Sequence, residues 1–254
     1  MTLAMEESGK GDPVLLLHGC PSTTRCFAAL ADALTARGRR VLVPSLPGYG
    51  ASPPLAAPYD WRRASELLEQ ELLGRDAAKL DVVGFSAGAY RALMLALSPR
   101  LRVARIVCLA GIAGLDEAVR GAYREIAGAA RAGVDFGPSW LGRMTGPQFS
   151  ERCSKDDGDD VMAWLDCTPT GVLADELEGF AAADDLRPRL GEIDARIVAR
   201  VGAFDVACPP MCSEEIVKGA RQGELQVVPD CGHALLYEDR AATIAAVVAA
   251  ITTG

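Results

Sequence analysis

The feature that most constrains how this chain folds is a Gly-x-Ser-x-Gly pattern at residues 84–88. A strand-like run, Leu80 to Phe85, comes directly before Ser86, and apolar residues then recur at helical spacing as far as residue 97. A strand, a sharp turn and a helix form the context in which this pattern lifts a serine hydroxyl above the edge of a sheet. Both glycines fit that context, because a Cβ at either position would clash across so tight a turn.

The rest of the chain alternates between short continuous apolar runs, which are typical of buried strands, and segments with helical periodicity. Predicted strands cover residues 14–17, 41–44, 80–85, 104–110, 197–201 and 225–228. Helices are predicted between them, the clearest at 25–36, 61–73, 213–220 and 240–251. This alternation indicates an α/β fold with a mostly parallel sheet covered by helices on both faces.

One long segment interrupts the alternation. Residues 113–189 contain predicted helices at 117–132, 161–166 and 171–183 but no convincing strand. We therefore expect a core formed by residues 1–112 and 190–254, with residues 113–189 inserted as a helical cap. Large apolar side chains of this cap either pack its helices onto the core or form the wall of a substrate pocket; the candidates for the pocket are Phe136, Trp140, Met144 and Trp164.

Polar residues with catalytic potential follow several of the predicted strands. In a parallel sheet the carboxyl ends of the strands lie at one edge, where ligands bind. Ser86, Asp205 and His233 each follow a strand there. A serine hydroxyl becomes a good nucleophile when a base takes its proton, and a carboxylate fixes the tautomer and orientation of a histidine base. The sequence predicts these three roles for the three residues.

Two of these assignments have competitors. The chain contains two histidines, and His18, which precedes a Gly-Cys-Pro turn, is expected to hold that loop by hydrogen bonds. Asp116 is the other candidate for the acid, but Asp205 follows its strand directly. Cys20 is expected to contribute its backbone amide, together with that of Ala87, to a site for an oxyanion. A nucleophilic Cys20 thiol is the less favoured alternative.

Taken in order, five short motifs give the chain a resemblance to a known family. They are Val14-Leu15-Leu16-Leu17-His18-Gly19-Cys20-Pro21, Pro47-Gly48-Tyr49-Gly50-Ala51-Ser52, Gly84-Phe85-Ser86-Ala87-Gly88, Gly202-Ala203-Phe204-Asp205 and Gly232-His233. Over almost its whole length the chain resembles enzymes of the α/β-hydrolase fold that carry a helical cap. In that family the first motif supplies an oxyanion amide at the position of Cys20. The fourth supplies the acid of a catalytic triad, and the last supplies its base.

The chain departs from the family pattern in two places. Ser45 stands where relatives often have Asp, so the following loop is expected to be held differently. Residues 2–7 leave room for about one strand before the His-Gly turn, where relatives often have two. Ser at the nucleophile position also separates the chain from haloalkane dehalogenases and epoxide hydrolases of this fold, which attack with Asp.

Residues and resemblance together imply a serine hydrolase that cleaves a carboxylic ester, thioester or lactone through an acyl-enzyme on Ser86. The same site would also serve acyl transfer, cyclisation or carbon–carbon bond hydrolysis, and a small-molecule-binding protein can use the same scaffold. This chemistry requires no metal or organic cofactor. The expected partner is a small-molecule substrate with an apolar part.

The composition argues against several other classes. The chain has 254 residues, 50% of them hydrophobic, and a net charge of -8, so nucleic acid and anionic membranes are unfavourable partners. It has no apolar stretch of the roughly 20 residues that span a bilayer and no signal-peptide pattern, so we expect a cytoplasmic protein. Its eight cysteines fit a reducing compartment. A zinc site is the less favoured use of Cys208, Cys212, Cys231 and His233.

Overall fold

A seven-stranded sheet forms the centre of the molecule. The structure, a computed structural model, describes residues 1–134, 136, 142–149 and 169–252. The strands are β1 Met5–Gly9, β2 Pro13–Leu17, β3 Arg40–Pro44, β4 Lys79–Phe85, β5 Arg102–Leu109, β6 Arg196–Gly202 and β7 Gly223–Val228. They are ordered β1-β3-β2-β4-β5-β6-β7. Only β1 is antiparallel to its neighbour, so the predicted α/β fold with a mostly parallel sheet is confirmed.

Helices connect the strands and cover the sheet. They are α1 Ala28–Thr35, α2 Trp61–Leu73, α3 Ala87–Ala96, α4 Glu117–Arg131, α5 Thr170–Ala182, α6 Pro210–Gly219, α7 Leu235–Glu238 and α8 Arg240–Thr252. Short 3₁₀ turns occupy Thr24–Phe27 and Arg187–Glu192. Helix α6 begins at Pro210, three residues before the predicted start, because a proline suits the first turn of a helix. The helix predicted at 161–166 lies outside the described residues.

The sheet buries both of its faces, as continuous apolar strands require. In β2, Leu15 and Leu17 belong to the apolar cluster that contains α2 and α3. Val14 and Leu16, which point the other way, belong to the cluster that contains α1 and α8. Each face therefore has its own core, and the strand ends remain as the edge where side chains converge.

The segment between β5 and β6 is helical in its described parts, which contain α4 and α5 but no strand. The two helices pack through small and apolar residues, Ala127 and Ala130 against Leu173, Ala174 and Leu177. The division into a core and a cap stays a prediction. Among the described residues no helix is both long and apolar enough to cross a lipid bilayer.

Three glycines let the backbone close around the turn between β4 and α3. A Cβ at Gly88 would lie 2.0 Å from the carbonyl oxygen of Leu17 on the neighbouring β2, and one at Gly84 would lie 2.4 Å from the carbonyl oxygen of Gly88. A Cβ at Gly19, in the loop after β2, would lie 2.8 Å from the Cβ of Ser86. Real Cβ atoms do not tolerate such distances, so each of the three positions requires glycine.

This requirement predicts opposite effects for two glycine-to-alanine changes in helices. Gly88→Ala forces β2 and α3 apart, and we expect a loss of about 2–3 kcal/mol or more in the free energy of unfolding. Gly128→Ala, on α4, meets nothing within 4 Å and lowers the entropy of the unfolded chain. We expect it to gain about 0.5–1 kcal/mol. Urea unfolding of both variants measures the difference, and equal effects would show that the close approach is absent.

Candidate active site

Ser86 occupies the turn between β4 and α3 in a backbone conformation that few residues adopt. Its φ is 55° and its ψ is -124°, and its amide donates to the carbonyl of Leu109 at 2.8 Å. A non-glycine residue at positive φ costs of order 1–3 kcal/mol, and such residues cluster at functional sites. The conformation projects the side chain away from the sheet, and Ser86 remains 9% exposed, at the wall of a cavity.

His233 and Asp205 meet beside this turn. The Nδ1 atom of His233 lies 2.8 Å from Oδ2 of Asp205. Because a carboxylate only accepts, Nδ1 donates its proton in this pair, and Nε2 is the ring nitrogen that stays available to other groups. The His233 ring lies 5.2 Å from the ring of Phe85, the residue before Ser86. Both members of the pair are buried, so their interaction is shielded from water.

The orientation of Asp205 is itself fixed by backbone donors. Its Oδ1 accepts from the amides of Ala207 at 2.9 Å and Cys208 at 2.8 Å. Asp116, the competing acid, instead pairs with Arg187 at 2.9 Å, and its side chain is 72% exposed. The structure therefore brings Asp205, and not Asp116, to the histidine.

Ser86 and His233 line one cavity, whose volume is about 180 Å³. Most of its described wall is apolar, with Val119, Ala122, Ile126, Met144, Leu177 and Val206 among the residues that form it. Arg143, which is exposed, also lines it. Of the four residues predicted for the pocket, Met144 lines this cavity. Phe136 packs against the α4–α5 cluster instead, and Trp140 and Trp164 lie outside the described residues.

A larger cavity, of about 660 Å³, opens elsewhere on the surface. Met5, Thr24 and Arg240 line it, so it lies beside the edge strand β1 and helix α8. Neither Ser86 nor His233 is among the described residues of its wall. Although this cavity is larger, the candidate catalytic residues do not line its described wall. The smaller cavity, which Ser86 and His233 line, is therefore the candidate active site.

Two backbone amides are available near Ser86. Ala87 is the first residue of α3, where a helix leaves its amides without partners inside the helix. Within the described chain, the amide of Cys20 donates to no backbone or side-chain acceptor. Its neighbour Gly19 approaches Ser86 closely, so both predicted oxyanion amides belong to the segments that meet at this serine.

His18 holds the loops around the site and has no nitrogen left for catalysis. Its Nδ1 donates to the carbonyl of Gly19 at 2.9 Å, and its Nε2 accepts from the amide of Leu46 at 3.2 Å. Burial, opposed by the Gly19 bond and assisted by the positive charge of Arg91, lowers the pKa of His18 to about 4. These hydrogen bonds to two loops agree with the loop-holding role predicted for His18.

A buried polar network behind Cys20 was not expected from the sequence. Glu176 of α5 forms an ion pair with Arg91 of α3 and accepts a hydrogen bond from the Tyr49 hydroxyl. Arg91 also donates to the Tyr59 hydroxyl at 2.9 Å and stacks over an indole ring. The network joins three segments that are distant in the sequence, and no sequence motif marks it. The sequence feature that could have indicated it is Glu176, a charged residue on the apolar side of α5.

The cysteines near the site are neutral thiols. Burial, together with the charge of Glu176, raises the pKa of Cys20 well above its usual range, which disfavours the thiolate that a nucleophilic Cys20 would need. Burial also raises the pKa of Cys208, whose side chain contacts that of Ser86. Among the described residues, no group of three or more His, Cys, Asp and Glu side chains is placed to hold a metal ion.

The pKa of His18 predicts a specific acid sensitivity. The folded chain keeps His18 neutral down to about pH 4, whereas the unfolded chain protonates it near pH 6.5. Unfolding therefore becomes easier as the pH falls from 6.5 to 4, by about 3 kcal/mol at the limit, and is unaffected above pH 6.5. His18→Gln disturbs the hydrogen bonds of the ring, so we expect the variant to be less stable than the wild type at pH 7.5. Because it also lacks the titrating imidazole, its free energy of unfolding should decline less towards pH 4. Urea unfolding across this range measures both curves, and parallel declines would contradict the prediction.

Comparison with known proteins places these features in a family. The chain is 28% identical over 265 residues to a protein of Paraburkholderia xenovorans (strain LB400) named 2-hydroxy-6-oxononadienedioate/2-hydroxy-6-oxononatrienedioate hydrolase; the match covers 93% of this chain and 86% of that one. A thermophilic esterase from Thermogutta terrifontis superposes with a TM-score of 0.88 at 25% identity, over 96% of this chain and 91% of that one.

A third protein shares the fold at lower identity. The enol-lactonase from Burkholderia xenovorans LB400 superposes with a TM-score of 0.88 at 21% identity, over 99% of this chain and 96% of that one. The profile of the alpha/beta hydrolase family matches residues 14–247. Because this match spans nearly the whole sheet and its helices, the chain belongs to the alpha/beta hydrolase family.

Proposed function

We propose that the protein is a serine hydrolase that cleaves a carboxylic ester, thioester or lactone of a small molecule. The observation that carries the proposal is the buried bond between His233 and Asp205, with the histidine and Ser86 on the wall of one cavity. A serine hydroxyl needs a base to become a good nucleophile, and an oriented neutral imidazole is such a base.

In the first half of the reaction, the Ser86 oxygen attacks the carbonyl carbon while His233 Nε2 takes the hydroxyl proton. The negative charge that develops on the carbonyl oxygen is held by the amides of Cys20 and Ala87. Collapse of the tetrahedral intermediate breaks the bond to the leaving oxygen, or to the leaving sulfur of a thioester, and that atom receives the proton from the imidazolium. The products are an acyl-enzyme on Ser86 and a free alcohol, thiol or, from a lactone, the hydroxyl end of the same molecule.

In the second half, water replaces the alcohol. His233 takes a proton from the water as its oxygen attacks the acyl carbon, and the same two amides hold the oxyanion. The bond to Ser86 then breaks and the proton returns to the serine oxygen. Asp205 stays ionised throughout and stabilises the imidazolium in both halves.

The shape of the cavity favours a small substrate. Its volume of about 180 Å³ is below the roughly 300–1,000 Å³ of sites for drug-sized ligands. Because much of the described wall is apolar, an acyl or alcohol part with hydrocarbon character is favoured over a charged one of the same size.

Carbon–carbon bond hydrolysis is the second candidate. The relative at 28% identity, named for its hydrolysis of a 2-hydroxy-6-oxo dienedioate, supports it. The same serine, base and oxyanion amides serve a bond between a carbonyl carbon and an adjacent carbon, provided that the leaving carbon can accept a proton. Product analysis with an ester and with a 2-hydroxy-6-oxo dienedioate separates the two reactions.

The proposal predicts that Ser86 is the residue labelled by an activated phosphonate. We expect the wild type to be labelled and to hydrolyse a short 4-nitrophenyl ester, and Ser86→Ala to lose both, with kcat/KM lower by roughly 10³-fold or more. Ser98→Ala, which removes a hydroxyl at the far end of α3, is the matched control and should keep both activities.

Failure of the wild type to label, while it remains folded, would overturn the proposal and leave the small-molecule-binding alternative. Labelling that persists in Ser86→Ala would place the nucleophile on another residue.

A further inference from the structure

Tyr123 lies on the face of α4 that forms one wall of the candidate active site. Val119, Tyr123 and Ile126 follow the spacing of a helical face, and all three line the cavity that contains Ser86. The Tyr123 ring packs at 5.8 Å from the ring of Phe180 on α5, which fixes its direction. Tyr123 therefore presents a phenol to a wall that is otherwise mostly apolar.

The Tyr123 hydroxyl differs from the other tyrosine hydroxyls in the interior. Tyr49 donates to Glu176, Tyr59 accepts from Arg91, and the Tyr90 hydroxyl donates to the carbonyl of Asp184 at 2.8 Å. Within the part of the chain that the structure describes, the Tyr123 hydroxyl has no hydrogen-bond partner. Tyr123 is only partly buried and lines the cavity, so its hydroxyl is available to donate to a group that enters there.

Tyr123 shares the wall of one cavity with the candidate nucleophile. Ser86, Cys20 and Cys208 line the same cavity. Cys208 contacts the Ser86 side chain, and Cys20 carries one of the oxyanion amides. Burial raises the pKa of Tyr123 far above its usual range, so the phenol keeps its proton and serves as a hydrogen-bond donor.

We propose that Tyr123 determines specificity by donating a hydrogen bond to a second oxygen in the acyl part of the substrate, such as a keto, ether or hydroxyl oxygen beyond the reacting carbonyl. The inference rests on the proposed serine hydrolase function. It narrows the substrate class from plain hydrocarbon acyl groups to acyl groups of the same small size that carry one additional acceptor.

Two esters of equal heavy-atom count test this directly. In 4-nitrophenyl methoxyacetate an ether oxygen replaces one methylene of 4-nitrophenyl butanoate. Their intrinsic reactivities differ, but that difference cancels when the ratio of the two kcat/KM values is compared between wild type and Tyr123→Phe. One neutral hydrogen bond predicts that the methoxyacetate preference falls about threefold to tenfold in the variant. The ratio carries the test, whatever the change in kcat/KM for butanoate alone.

The thermal midpoint of unfolding provides a second measurement. If the Tyr123 hydroxyl had only a structural role, its removal would lower this midpoint. Tyr123→Phe removes a hydroxyl that has no partner among the described residues, so its thermal midpoint should equal or exceed that of the wild type. Tyr90→Phe is the matched control, because it removes a buried hydroxyl that is bonded to the Asp184 carbonyl and does not line the described cavity. We expect Tyr90→Phe to lower the thermal midpoint and to leave the ester ratio unchanged.

Three results would overturn the inference. An equal loss of kcat/KM with both esters would assign the hydroxyl to the reacting carbonyl. Unchanged kcat/KM values with both esters would show that the hydroxyl binds only water. A lower thermal midpoint for Tyr123→Phe, with an unchanged ratio, would make the role structural. Phosphonate labelling of the wild type is run in parallel, because its absence would refute the hydrolase function itself rather than the role of Tyr123.

Discussion

The close approach of three backbone segments at Ser86 is the constraint on which the rest of the site depends. The loop after β2, the end of β4 and the start of α3 come so near to one another that Gly19, Gly84 and Gly88 leave no space for a Cβ. This packing holds Ser86 at positive φ, and Cys20 and Ala87 lie in the segments that meet beside it. In the proposed mechanism, amides held by so rigid a backbone need no rearrangement when charge develops.

Buried polar groups extend this rigidity into the helical segment between β5 and β6. Glu176 on α5 meets Arg91 on α3 and Tyr49 in the loop after β3, and each of these side chains is at most 2% exposed. A buried ion pair is costly to form but also costly to break, since one partner alone would be an uncompensated buried charge. The network therefore fixes where α5, and α4 packed against it, stand over the cavity. The position of Tyr123 follows from this arrangement.

The sequence predicts the parts of the structure that depend on local pattern. Strand β4 and helix α2 lie close to their predicted bounds because apolar runs and helical periodicity are local signals. The positions of Ser86, Asp205 and His233 follow from where the strands end. The Glu176–Arg91 pair and the position of the Tyr123 hydroxyl on the cavity wall depend on packing between distant segments. The same dependence explains why Phe136 packs against α4 and α5 rather than lining the cavity.

The rate at which an activated phosphonate labels Ser86 reports whether Asp205, acting through His233, activates the serine. Asp205→Asn keeps the size of the side chain but disturbs the tautomer of the histidine, whereas Asp116→Asn changes an exposed carboxylate paired with Arg187. We expect labelling of Ser86 to slow by roughly 10³–10⁴-fold in the first variant and by less than about twofold in the second. Equal labelling rates in Asp205→Asn and the wild type would show that Asp205 does not activate Ser86.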